Sequence, residues 1–115
     1  MTPHDVFIAA TDPAAEVREV IATALGAAFE PSRDVEPVPV LAVGPTQVFF
    51  HDSHPFEDDV DLPVSRYRYW VSVQDTGRDE DRQLAIAQRV FDAIKETGRP
   101  VLLSYGLQVT IATHP

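Results

Sequence analysis

The stretch Val64 to Gln74, VSRYRYWVSVQ, alternates large apolar and polar side chains more regularly than any other part of the chain. Successive side chains of a strand point to opposite faces of the sheet. The pattern therefore predicts a strand with Tyr67, Tyr69, Val71 and Val73 on one face and Arg66, Arg68, Trp70 and Ser72 on the other. Aromatic residues fall on both sides. A layer must cover the more apolar face, and the face with the only tryptophan also needs an explanation.

The flanking sequence supplies that layer. Asp5 to Thr11 (DVFIAAT) reads as a short strand, followed by Asp12-Pro13 as helix cap and first turn. From Pro13 to about Phe29, Val17, Val20, Ile21, Ala24, Leu25 and Ala28 recur at helical spacing. Pro31, Pro37 and Pro39 cannot donate to a ladder, so Glu30 to Pro39 is expected as a loop or bulged edge. Val40 to Val43, Gly44-Pro45 and Thr46 to His51 read as a hairpin, and Asp52 to Pro63 as the longest loop. A second helix is expected from near Asp79 to about Thr97, with Glu80 and Asp81 at its start and Gly98 and Pro100 beyond its end. Val101 to Tyr105, Gly106 and Leu107 to Thr113 close the chain as a hairpin.

With 115 residues the chain has room for one core, so residues 1–115 are read as a single α+β domain. The expected architecture is a ferredoxin-like two-layer sandwich. It has an antiparallel-rich sheet, two helices on one face and an extra C-terminal hairpin. That architecture serves unrelated functions and transfers no activity.

Composition narrows the chemistry. The chain has no cysteine, which removes disulfides, thiolate zinc sites and thiol nucleophiles and fits a cytoplasmic location. No signal peptide or membrane span is apparent, so no membrane partner is expected. The formal net charge of -9 repels phosphate backbones, and nucleic acid is not an expected partner. Lys95 is the only lysine, a bias typical of GC-rich bacterial coding sequences. The glycines are scattered singly, so there is no phosphate-cradling loop or dinucleotide fingerprint, and no nucleophile elbow occurs. No cofactor is expected, and an enzyme is the less favoured reading.

Three groups of residues remain. His51 and His54, followed by Glu57, Asp58, Asp59 and Asp61, are weak metal candidates, because Pro55 leaves their geometry undefined. The expectation is no bound metal. The same acids can offer a negative patch to a basic protein partner, as small immunity or inhibitor proteins do, or be a solvated loop. The third group is Arg66, Arg68 and Trp70, joined by Phe7, Phe49 and His51 if the strand registers align. Three covers fit this open face: a loop such as Glu30 to Pro39, a second copy of the chain, or a ligand.

The sequence thus favours a non-catalytic acidic protein-interaction module, able to form a homodimer through the open sheet face. The alternative is a dimeric α+β barrel-type small-molecule binding protein or cofactor-independent enzyme, with Trp70, Tyr67 and Arg66 in a sheet-lined pocket.

Overall fold

The structure, a computed structural model, describes residues 1–32, 37–58 and 64–115. In chain order the elements are β1 (His4–Ile8), α1 (Ala14–Leu25), β2 (Glu30–Pro31), β3 (Pro39–Val43), β4 (Thr46–His51), β5 (Tyr69–Asp75), α2 (Glu80–Glu96), β6 (Val101–Tyr105) and β7 (Val109–His114). The strands form one antiparallel sheet in the order β2-β3-β4-β5-β1-β6-β7. Both helices lie on one face, as a two-layer α+β arrangement requires, and the C-terminal hairpin β6-β7 extends the sheet on one side.

Alternation decides which residues the helices cover. Val6 and Ile8 of β1, Val48 and Phe50 of β4, Tyr69, Val71 and Val73 of β5 and Val101 and Leu103 of β6 share one core. Val17, Ile21 and Leu25 enter that core from α1, and Ile86, Ala87, Val90, Phe91 and Ile94 enter it from α2. Each helix therefore presents an apolar stripe to the sheet and a polar face to water.

Three local expectations are corrected. Helix α1 ends at Leu25 rather than near Phe29, because Gly26 turns left-handed at φ 67° and its N–H bonds to the Ala22 carbonyl. Asp12 does not cap α1, since its carboxylate receives Arg99 Nε at 3.1 Å instead and Pro13 occupies the cap position. The alternating strand begins at Tyr69, with Val64–Arg66 forming a 3₁₀ turn before it. Helix α2 starts as read, with the Asp79 side chain accepting from the Arg82 N–H.

A buried polar network ties α2 to the sheet. Arg82 donates through Nε and Nη2 to the two oxygens of Asp75, each at 2.7 Å, and Thr46 Oγ1 and the Asp79 N–H donate to the same carboxylate. The Asp75 N–H donates to Gln83 Oε1, and Gln83 Nε2 donates to the Thr2 carbonyl and to His4 Nδ1. Each oxygen of Asp75 thereby receives two donors, which is what makes burial of this carboxylate tolerable.

The Arg82 hydrogen bonds hold the Asp75 carboxyl well below the usual carboxylate range. A depressed native pKa stabilises the fold above the unfolded value of 3.8, and that stability is lost as pH falls through the native value. Asp75→Asn should therefore melt earlier than the wild type at neutral pH, with the gap closing as pH drops below the carboxylate range. Thermal melts followed by circular dichroism across pH check this, and a gap independent of pH would contradict it.

Candidate functional site

The sheet face away from the helices is organised by register into two rows. One row runs His51, Trp70, Phe7, Leu102 and Thr113 across β4, β5, β1, β6 and β7. The next runs Phe49, Ser72, Asp5, Ser104 and Thr110. The first row is aromatic and apolar, the second mostly polar.

The aromatic row is covered by its own chain. Phe7, Val64 and Leu102 form a second buried cluster, against which Phe56, Tyr67 and Trp70 pack. The Trp70 ring stacks on His51 at 4.0 Å between centroids and meets Phe56 edge-on at 4.7 Å. His54 stacks on Phe56 and meets Phe7 edge-on, while its Nε2–H donates to the Tyr67 carbonyl at 2.6 Å. Nδ1 of the same ring is buried with no hydrogen-bond partner among the described residues. Among the described residues the cover therefore comes from Phe56, Val64 and Tyr67, between β4 and β5; residues 33–36 of the expected Glu30 to Pro39 cover lie outside the described residues. Tyr67 lies in this second cluster rather than with Tyr69, because it precedes the strand and does not obey its alternation.

The polar row contains a group that the sequence reading passed over. Asp5 is 3% exposed, lies between Ser72 and Ser104 on the neighbouring strands, and accepts a hydrogen bond from Trp70 Nε1 at 2.9 Å. Burial pushes its carboxyl up to about 6, and the indole hydrogen bond offsets this only in part. No cation pairs with it among the described residues. The available signal was a charged residue at an alternate position of an otherwise apolar run, two before Phe7.

The remaining candidates scatter. Arg66 and Arg68 precede β5 and line a cleft with Ala9, Asp12, Gly98 and Arg99, away from Trp70. The expected grouping of Arg66, Arg68 and Trp70 on one strand face is thus divided, because only Trp70 belongs to the strand. Phe49 and His51 stay on the open face as the alternation predicted, and burial lowers the His51 pKa. Glu57 is exposed. Asp58 accepts from both the N–H and Oγ of Ser65, at 2.7 and 2.8 Å, which lowers its pKa and ties the loop to the 3₁₀ turn. Asp59 and Asp61 lie outside the described residues. His51 and His54 meet the same aromatic cluster through Trp70 and Phe56, and no group of three ligating side chains forms among the described residues. No helix among those residues is long and apolar enough to cross a membrane.

The second exposed feature is the outer hairpin. Leu107, Val109 and Ile111 are 40%, 54% and 42% exposed, and β7 forms an edge of the sheet. Comparison with protein families, with curated proteins and with solved structures finds no match to this chain. Its functional reading rests on these surfaces.

Two outcomes follow from the open face. An acid whose native pKa exceeds its unfolded value makes the fold more stable as pH falls from about 6 toward 3.8, a gain absent at neutral pH. Asp5→Asn should therefore raise stability at neutral pH, by up to about 3 kcal/mol, and flatten the profile between those values. Chemical denaturation across pH measures both. Trp70→Ala should cost about 3 kcal/mol and leave the molecular mass unchanged, since the residues around the indole belong to the same chain. Wild-type tryptophan emission should accordingly stay blue-shifted on dilution, and reddening would place a second chain over Trp70.

Proposed function

We propose that this chain is a protein-interaction module that docks through the β7 edge of its sheet, with a second copy of itself as the partner. The observation that carries the reading is the contrast between the two sheet edges. At one end, β2 is two residues long, includes Glu30, and sets Pro31 opposite Pro39. Short length, charge and proline are the devices by which an edge is kept from pairing.

The other edge lacks them. Strand β7 has six residues, VTIATH, and has no neighbouring strand on its outer side among the described residues. From Pro100 to Pro115 the chain has no aspartate, glutamate, lysine or arginine. A bulge opposite Leu103 and Ser104 is the one guarding feature of β7, and what it presents is the exposed Ile111 rather than a charge.

The absence of charge on the hairpin permits a second copy to dock there. Two molecules of net charge -9 repel one another over most of their surfaces, and the repulsion is weakest at the uncharged hairpin. Two β7 strands running antiparallel about a twofold axis would satisfy each other's ladders and bury Val109 and Ile111 symmetrically. We read the inner unit, in spatial order β4-β5-β1-β6, as a ferredoxin-like core that β3 and β7 extend on opposite sides. Catalysis has no place in this reading.

Light scattering coupled to size exclusion tests it. The wild type should approach twice the chain mass as concentration rises, while Ile111→Lys should remain at the single-chain mass with stability changed by less than about 0.5 kcal/mol. A wild type that stays at the single-chain mass at every attainable concentration would refute the proposal, as would a variant that still dimerises.

A further inference from the structure

We infer that the cleft between the end of β1 and the end of α2 is a binding site for a phosphate monoester. The site is separate from the β7 edge and goes beyond the dimer reading. In a protein with nine basic residues against eighteen acidic ones, three arginines, Arg66, Arg68 and Arg99, line this one open cleft of about 560 Å³. That size accommodates a small molecule or a single modified side chain.

The charges do not cancel within the cleft. Asp12 is its one acidic lining residue, and it is already paired with Arg99 at 3.1 Å. Arg66 and Arg68 have no carboxylate within ion-pair distance among the described residues. Asp58 is near enough to feel Arg66, but Ser65 engages both of its oxygens. Two cationic groups thus remain for an incoming ligand, which matches the charge of about -1.5 to -2 on a phosphate monoester at neutral pH better than a carboxylate's single charge.

The supporting groups are positioned for such a ligand. The Arg68 guanidinium lies 5.0 Å from the centroid of the Tyr69 ring. Stacking of that kind fixes the plane of the group while leaving its in-plane N–H donors available. Tyr69 is itself anchored, since its hydroxyl donates to the Asp12 carbonyl at 2.5 Å. Helix α2 ends at this cleft, where its carbonyls would oppose an anion. The Ile94 and Lys95 carbonyls, however, already accept from Thr97 and Gly98.

Titration of labelled protein with inorganic phosphate, read as amide shifts, tests the site, with chloride and acetate at matched ionic strength as references. Saturable shifts at Thr11, Arg66 and Gly98 are expected with phosphate alone. Arg66→Gln and Arg68→Gln should each weaken binding about tenfold, the loss of one charge-assisted hydrogen bond. Arg66→Lys, which keeps the charge, should recover part of the loss. Phosphoserine and a sugar monophosphate then separate the two sources of the group, and tighter binding of either than of inorganic phosphate identifies the ligand class. Phosphate shifts no larger than those of chloride, equal binding of acetate, or binding that survives in folded Arg66→Gln and Arg68→Gln proteins would overturn the inference. Because Ile111 is remote in sequence and lines no part of this cleft, the Ile111→Lys protein should bind phosphate as the wild type does, which keeps the outcome independent of dimerisation.

Discussion

All five residues of β1, His4 to Ile8, are buried, and this double-sided burial is the constraint on which the rest of the structure depends. A strand flanked on both sides and buried on both faces cannot be satisfied by one helical layer. Val6 and Ile8 require the helices, whereas Asp5 and Phe7 require something on the far face. The chain meets the second demand with the segment between β4 and β5, which folds Phe56, Val64 and Tyr67 across Phe7 and Trp70. That segment is therefore part of the core as well as a connection.

The same constraint sorts the buried acids. Asp75 and Asp5 are both almost fully removed from water, yet their ionisation shifts in opposite directions. Asp75 is bound through both oxygens by a guanidinium and by further donors, so its charge is compensated where it forms. Asp5 receives a neutral indole N–H and lies between two serines, which offer dipoles but no charge. Geometry of burial alone would have treated them alike. The difference comes from the partners, and it makes Asp5 a group held at a cost to stability at neutral pH.

Much of the fold was legible because it depends on local periodicity. The helices, the β3-β4 and β6-β7 hairpins and the inward residues of β4 and β5 follow from repeats of two or three to four residues. The errors fall where periodicity stops. Tyr67, Arg66 and Arg68 were assigned to faces by extending an alternation backward past Tyr69, where the chain becomes a 3₁₀ turn and alternation has no meaning. Gly26 was passed over as a helix end because apolar residues continue beyond it, and a left-handed turn leaves no mark on hydrophobic spacing.

The sequence by itself determined the α+β class, the two amphipathic helices and the fact that Trp70 lies on the opposite face of its strand from Tyr69, Val71 and Val73. These are properties of neighbouring residues on a regular backbone. Only the tertiary structure decided that Trp70 is covered by His51 and Phe56, that Asp5 takes its indole proton as a hydrogen bond, and that Arg66, Arg68 and Arg99 meet in one cleft. Those contacts join residues up to 65 positions apart, as Asp5 and Trp70 are. Whether such residues meet depends on strand order and register, and a shift of one residue would place every side chain on the opposite face.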